Sequence, residues 1–135
     1  MKYLLDTNIC IHYFKGHNGV MKKIEKLGFE KVAISEITLA ELYYGVEKSR
    51  KRETNLGVIE RFASKITIIP IFSAIRIYAK EKARLKQKGT IISDLDLLIG
   101  ATALANNMIM VTRNVREFDR LENTQIENWI DEETN

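Results

Sequence analysis

Three acidic residues lie beside apolar runs, where a carboxylate needs a partner or a function. Asp6 follows the first apolar run, Glu41 interrupts a second, and Asp96 precedes a third. Carboxylates that are brought close together repel one another, and a divalent cation relieves the repulsion. Hard cations such as Mg²⁺ and Mn²⁺ prefer carboxylate oxygen as a ligand. The types and positions of these residues therefore indicate an acidic metal site.

Each of these acids also has a structural explanation. Asp6 can cap the N-terminus of the helix that follows it. Ser93 and Asp96 have the spacing of a capping box, in which an N-cap serine is paired with an acid three residues later. Asn114 and Glu117 have the same spacing. Glu117 is therefore either a fourth site acid or a cap residue.

The elements that must position these residues are short apolar runs, typical of buried strands, alternating with longer helical patterns. Strands are predicted at residues 2–5, 32–34, 66–69, 108–111 and 125–127. Helices are predicted at residues 6–14, 19–27, 35–48, 54–63, 73–87 and 93–107, with a helical turn at 116–120. This order predicts an α/β fold, a three-layer domain with a mostly parallel central sheet flanked by helices.

Polar clusters follow three of the predicted strands. They comprise residues 6–8, the segment from Ser35 to Glu41, and residues 112–114. The carboxyl ends of parallel strands lie at one edge of a sheet, where ligand sites form. We therefore expect the three clusters to lie at the same edge.

The composition fits a single domain over residues 1–135. Hydrophobic residues make up 45% and charged residues 29%, which are ordinary values for a folded globular protein. No apolar run approaches the roughly 18 residues of a transmembrane helix, and Asp6 comes too early for a signal peptide. The expected location is therefore the cytoplasm, with no membrane attachment.

The net charge of +3 is distributed unevenly along the chain. Residues 117–135 carry seven acids and one arginine, which leaves a charge of +9 for the first 116 residues. A basic body of this kind is compatible with a polyanionic substrate, and equally with solubility alone.

The basic residues also have a pattern. Arg76, Lys80, Arg84 and Lys88 recur at a spacing of four and form a stripe on one predicted helix. Arg113 lies beside the proposed site. This surface is either a solvated helix face or a track for the phosphates of a nucleic acid.

Other chemistries have little support in the sequence. Cys10 lies among apolar residues and is predicted to be a small core residue. As the only cysteine, it excludes a disulfide framework and a multi-cysteine zinc site. His12 and His17 are the only histidines, and neither has a second ligand at helical spacing. No glycine-rich phosphate loop is present.

Two tyrosines, Tyr43 and Tyr44, follow Glu41 closely on the same predicted helix. The two aromatic side chains together are more apolar surface than one helix face can bury, so one of the two is predicted to lie in the core. The alternatives are a platform on which bases stack and part of a partner groove.

Four segments resemble the PIN domain in order and in spacing, and the chain is most similar to the VapC toxins of bacterial and archaeal toxin–antitoxin pairs. The segments are Leu5-Asp6-Thr7-Asn8, Ser35 to Leu42, Asp96-Leu97-Leu98-Ile99-Gly100-Ala101, and Val111-Thr112-Arg113-Asn114 with Glu117-Phe118. The resemblance covers essentially the whole chain, down to Ile126-Glu127-Asn128-Trp129. It implies a PIN-like α/β fold and metal-dependent hydrolysis of phosphodiester bonds in RNA.

The resemblance also implies roles for individual residues. Asp6, Glu41 and Asp96 match the three core acids of the family. Asp6 and Asp96 are expected to be the main ligands of Mg²⁺, for which Mn²⁺ can substitute. Such a cation would polarise a phosphate and activate a water for attack on the RNA.

The fourth acid is less well defined by the resemblance. Many relatives have Asp at the position of Asn114, so Glu117 is the expected substitute, and Asp94 ranks below it because an acid favours a helix N-terminus. The groups expected to orient the carboxylates or a phosphate are Thr7, Asn8, Thr112 and Asn114. Each of these is as readily explained as a turn or cap residue.

The partners implied by the resemblance are an RNA substrate, a cognate VapB-like antitoxin and a second copy of the chain in a homodimer. One alternative is a PIN-type RNA-processing nuclease outside a toxin–antitoxin system. Another is an inactive RNA-binding PIN module, against which the presence of Asp6, Glu41 and Asp96 argues.

Overall fold

Short buried strands alternate with helices through residues 2–131, the part of the chain that the computed structural model describes. The strands are β1 (Tyr3–Leu5), β2 (Val32–Ser35), β3 (Thr67–Ile69), β4 (Ile109–Val111) and β5 (Ile126–Glu127). The helices are α1 (Thr7–Phe14), α2 (Asn18–Leu27), α3 (Glu36–Glu47), α4 (Arg52–Lys65), α5 (Ile75–Lys88), α6 (Asp94–Ala105) and α7 (Val115–Phe118). Two 3₁₀ turns, at Phe29–Lys31 and Phe72–Ala74, were not predicted from the sequence.

The five strands form one sheet in the order β3-β2-β1-β4-β5, and every strand pair is parallel. β1 is central, since Leu4 pairs with Ala33 of β2 on one side and with Met110 of β4 on the other. The predicted α/β fold with its parallel sheet is confirmed. All five strands therefore end at the same edge, which is the edge that the sequence analysis identified.

Two hydrophobic cores cover the two faces of the sheet, because successive side chains of a strand point to opposite faces. Leu5 of β1 and Val111 of β4 pack on the side of α1, α2 and α4. Leu4 and Met110, one residue earlier in the same strands, pack on the side of α5 and α6. The molecule therefore has the three layers that the sequence predicts.

Local sequence sets several of the element boundaries. β3 ends before Pro70, which has no backbone N–H to donate to a strand ladder. Helix α5 ends at Gly89, whose φ of 71° lies in the left-handed region that favours glycine. Helix α4 begins at Arg52, two residues earlier than predicted. No helix described within residues 2–131 is long and apolar enough to cross a bilayer.

Candidate active site

Asp6 caps helix α1 and faces the edge of the sheet at the same time. Its Oδ1 accepts a hydrogen bond of 2.9 Å from the backbone N–H of Ile9, which is the predicted N-cap contact. Its Oδ2 accepts a hydrogen bond of 2.6 Å from the hydroxyl of Thr112, at the end of β4. Asp6 is only 5% exposed, so a backbone donor in α1 and a hydroxyl at the end of β4 hold a nearly buried carboxylate.

Glu41 extends from α3 toward the N-terminus of α1. The hydroxyl of Thr7 donates a hydrogen bond of 2.5 Å to Oε1 of Glu41 and lies 3.3 Å from the hydroxyl of Thr38. Thr38 is fully buried and precedes Glu41 by three residues, so both lie on one face of α3. Sequence analysis missed Thr38, although this spacing was the signal that could have identified it.

Asp96 lies in the first turn of α6, where the predicted cap is present. The hydroxyl of Ser93 accepts a hydrogen bond of 3.3 Å from the backbone N–H of Asp96. The carboxylate itself is half-buried, and it faces the other acids closely enough for their charges to affect its pKa. Its role in the cap and its position at the site are therefore compatible.

Glu117 is not the cap residue that the sequence spacing suggested. Asn114 begins helix α7 without any side-chain cap hydrogen bond. Its side chain instead donates from Nδ2 to Oε2 of Glu117 at 2.6 Å, while its backbone N–H donates to the hydroxyl of Thr112. The side-chain amide of Asn114 therefore orients the Glu117 carboxylate. The helix has only one turn, so it has little need for a capping box.

The four carboxylates influence one another electrostatically. Burial raises the pKa of Asp6 to about 6, and the negative charges of Asp96 and Glu41 contribute to the increase. Burial also raises the pKa of Asp96, with further contributions from Glu117 and Glu41. Hydrogen bonds partly oppose these increases in pKa. The charged groups that act on Asp6 and Asp96 are all carboxylates. Four segments far apart in sequence thus converge on one negatively charged site.

Asp94 is turned away from this group of acids. Its Oδ1 accepts hydrogen bonds from Lys82 at 2.8 Å and from the Tyr78 hydroxyl at 2.9 Å, both on α5. These hydrogen bonds lower the pKa of Asp94, the opposite of the shift at Asp96. The geometry therefore keeps Asp94 ranked below Glu117 as a fourth site acid.

The donor set fits a hard divalent cation. Within residues 2–131 no three histidine, cysteine or acidic side chains are gathered closely enough to enclose a metal ion. Mg²⁺ does not require such a cage, because it commonly binds one or two carboxylates and keeps several waters. Asp6 and Asp96 provide two carboxylates whose pKa values are raised by burial and further by neighbouring negative charges, and those charges favour a cation.

Several predictions about the surrounding surface were wrong. Arg84, assigned to the basic stripe, donates from Nε and Nη2 to the carboxylate of Glu81, so it belongs to a structural ion pair. Tyr43 and Tyr44 are both exposed, because α3 buries Thr38, Leu42 and Val46 on its other face. Asn8 is exposed on α1 and takes no part in the hydrogen bonds described above, so its predicted contact with a phosphate stays a prediction.

Neutralising Asp6 should stabilise the metal-free protein. The carboxyl group binds its proton more tightly in the folded chain, where its pKa is about 6, than in the unfolded chain, where it is 3.8. The wild-type protein therefore loses stability as pH rises between these values. Asp6→Asn has no such titration, so we expect its unfolding free energy at pH 7 to exceed that of the wild type by about 1–3 kcal/mol.

This prediction is checked by urea denaturation in EDTA at several pH values. The advantage of Asp6→Asn should be small below pH 4 and should grow up to about pH 6. The side-chain oxygen of Asn can still accept the hydrogen bond from Ile9, so the cap is retained. A difference in stability that does not change with pH would contradict the assignment.

Comparison with known proteins defines the class. The sequence matches the family described as PIN domain over residues 3–123. The chain belongs to the PIN-domain family, and solved structures similar to it share its fold.

Within this family the chain is most similar to VapC ribonucleases. It is 42% identical over 132 residues to Ribonuclease VapC2 of Rickettsia felis, a match that covers 96% of this chain and 98% of the relative. It is 37% identical over 130 residues to the tRNA(fMet)-specific endonuclease VapC of Shigella flexneri, again covering 96% and 98%. The crystal structure of VapBC2 from Rickettsia felis, bound to a promoter DNA fragment, has a chain that matches with a TM-score of 0.88 at 41% identity, covering 96% and 99%.

Proposed function

We propose that this chain is a metal-dependent endoribonuclease and the toxin of a toxin–antitoxin pair, with residues 1–135 forming one PIN domain. The observation that carries the proposal is the convergence of Asp6, Glu41, Asp96 and Glu117 at the carboxyl edge of the sheet, where burial and mutual repulsion raise the pKa of two of them. Similarity to VapC ribonucleases over nearly the full length supports the toxin over an unrelated RNA-processing enzyme. The proposed location is the cytoplasm, because an RNA substrate would be found there.

Asp6 and Asp96 are the proposed ligands of Mg²⁺, with Mn²⁺ as a possible substitute. When bound, the cation supplies positive charge that polarises a phosphodiester group and increases the acidity of a nearby water. The chain itself fixes the ligands: Thr112 holds Asp6 through one oxygen, and Ser93 positions the backbone that carries Asp96. Ligands held in this way need little rearrangement when the cation and the substrate arrive.

Glu41 and Glu117 are the proposed groups that orient the attacking water and the leaving oxygen. Each is itself held by a neutral donor, Glu41 by the hydroxyl of Thr7 and Glu117 by the amide of Asn114. A neutral donor fixes a carboxylate without cancelling its charge, so both remain able to accept a proton from water. Asn8, exposed beside Thr7, is the proposed contact to the RNA backbone.

A VapB-like antitoxin is the proposed protein partner. A groove of about 430 Å³ lies between α1, α3 and α4, with Glu41 at its rim. Its apolar lining includes Ile11, Phe14, Leu42, Val46 and Ile59. An amphipathic segment of a partner would bury this surface and reach the acidic site at the same time. The solved Rickettsia felis relative is a VapBC2 complex, which supports this assignment.

A homodimer is the proposed assembly. Phe72 is 85% exposed in the turn before α5, and Ile75 and Leu95 are partly exposed on α5 and α6 nearby. Exposed large apolar side chains on packed elements are typical of a surface that another chain covers.

Metal binding and cleavage test the proposal together. We expect millimolar Mg²⁺ or Mn²⁺ to raise the melting temperature of the metal-free protein by several degrees, because a ligand that binds only the folded state stabilises it. Asp96→Asn should have a higher metal-free melting temperature, since one repelling charge is gone, and a weaker response to metal. Asp94→Asn, which removes an ion-paired carboxylate, is the matched control and should retain the response.

The same samples are then assayed for cleavage of pooled tRNA, chosen because a relative is named a tRNA(fMet)-specific endonuclease. Wild-type cleavage should require added Mg²⁺ and stop in EDTA. Cleavage that continues in EDTA, or a melting temperature that metal leaves unchanged, would contradict the proposed metal site.

A further inference from the structure

An ion pair beside the acidic site joins the end of β4 to the segment that follows β5. Arg113 lies between Thr112 and Asn114, the two residues that hold the carboxylates of Asp6 and Glu117. Its guanidinium donates from Nε and Nη2 to the carboxylate of Asp131, at 3.2 and 3.4 Å. Both side chains remain more than half exposed, at 58% and 53%. The only basic side chain inside the cluster 112–114 is therefore accessible from solvent and already paired.

Asp131 is held in place by its own segment. The side chain of Asn128 donates to Oδ2 of Asp131 at 3.0 Å and accepts the backbone N–H groups of Ile130 and Asp131. Trp129, between them, is only 2% exposed, and its ring lies 5.3 Å from that of Tyr3 in the central strand. The carboxylate opposite Arg113 is thus presented by an anchored turn.

The surface around Arg113 retains a positive field despite this pairing. The pKa of His12 is lowered by burial and then by the positive charges of His17, Arg113 and Lys15, against a smaller opposite effect of Asp131. The pKa values of Asp6 and Asp96, in contrast, are raised by burial and, to a smaller extent, by neighbouring carboxylates. The carboxylates of the site therefore repel an anion, whereas the basic side chains around His12, including Arg113, attract it.

Resting on the proposed function, we propose that Arg113 binds a backbone phosphate of the RNA beside the cleavage site and that Asp131 competes with this phosphate for the guanidinium. A guanidinium suits phosphate as well as carboxylate, because its planar donors bind either one in a bidentate manner. An exposed ion pair contributes only about 0.2–1 kcal/mol and is readily exchanged. Arg113 would thereby contribute to substrate affinity, and Asp131 would lower that affinity because a phosphate has to displace its carboxylate first.

Binding of a fluorescein-labelled single-stranded oligoribonucleotide, measured by anisotropy in EDTA at several salt concentrations, separates this inference from catalysis. Arg113→Gln should weaken binding about tenfold and reduce the slope of log affinity against log salt by about 0.7, the value for one phosphate contact on a single strand. In cleavage assays with Mg²⁺ the loss should appear mainly in KM. Arg113→Lys should retain the salt slope, because it keeps the charge.

Asp131→Asn should tighten binding about two- to fivefold, the range that matches an exposed ion pair. The gain should disappear when Arg113 is already Gln, because the carboxylate then has no guanidinium to occupy. Glu60→Gln is the matched control and should behave as the wild type. Glu60 is exposed on α4, which leads into β3, the outer strand on the side of the sheet away from β4 and β5.

Each other outcome overturns the inference. An equal gain from Asp131→Asn in both backgrounds would mean that Asp131 acts only through its general negative field. If Arg113→Gln binds RNA with wild-type affinity and salt slope, Arg113 is not part of the RNA-binding surface. The proposed function would still stand in that case, provided that the wild-type protein cleaves RNA. A wild type that neither binds nor cleaves RNA would overturn both proposals.

Discussion

Each of the substitutions Asp6→Asn, Glu41→Gln and Asp96→Asn is expected to reduce Mg²⁺-dependent RNA cleavage by about a hundredfold or more. Loss of one carboxylate removes a ligand of the cation or a group that orients the water, and such changes often have effects of this size. The measurement is the initial rate of cleavage at one Mg²⁺ concentration, with far-UV circular dichroism to verify the fold.

The amide replacements retain the hydrogen bond from Thr7 at position 41 and the helix cap at position 6, so a loss of activity can be attributed mainly to the lost charge. Gln at position 41 can still accept the hydrogen bond from Thr7, and Asn at position 6 can still cap α1. Glu47→Gln, at an exposed position of the same helix as Glu41, is the control and should cleave at the wild-type rate. If two of the three site variants kept that rate, the proposed active site would be wrong.

The second large effect is expected at Glu117. Glu117→Gln should lower cleavage by more than tenfold while changing the unfolding free energy by less than about 0.5 kcal/mol, because the residue is only partly buried and caps nothing. The loss of cleavage is expected because the negative charge of Glu117 acts on Asp96. The side-chain amide of Asn114 holds the Glu117 carboxylate in position. Cleavage rates and urea denaturation of the purified variant test the two parts separately.

Asp94→Asn is the comparison for Glu117→Gln. It also removes a negative charge near the N-terminus of α6, but that charge is paired with Lys82 on α5. We expect less than a tenfold loss of cleavage from the change in field alone. Loss of activity in Asp94→Asn, together with wild-type activity in Glu117→Gln, would transfer the fourth position to Asp94.

The sequence predicts the sheet and the approximate positions of the acids, because both depend on local patterns. Apolar runs bounded by polar clusters define the strands, and parallel pairing then brings their carboxyl ends together. The cap of α1 by Asp6, and the cap of α6 by Ser93 at the backbone of Asp96, also follow from short-range spacing. The assignment of Asp6 and Asp96 to a metal site came from the resemblance to PIN domains, because spacing alone does not supply it.

The contacts that orient the acids depend on the tertiary structure and were not predicted. Thr112 and Asp6 are separated by 106 residues in sequence, and Thr7 and Glu41 by 34. The ion pair between Lys82 and Asp94 likewise depends on how α5 packs against α6. Arg84 was misassigned for a different reason, because Glu81 lies only three residues earlier on the same helix, a spacing at which side chains meet, and this local pairing was overlooked.

The strand order has a consequence for the synthesis of the protein. β1 is made first but lies at the centre of the sheet, and one of its neighbours, β4, begins only at Ile109. At about 5–20 residues per second, roughly 4–15 s pass between translation of Glu41 and of Glu117. A nascent chain lacks the β1–β4 strand pair until Val111 has been made, and it lacks the complete set of acids until Glu117 has been made. A growing chain therefore carries all four acids of the proposed site only after most of its length has been synthesised, and we expect RNA cleavage only from that point onward.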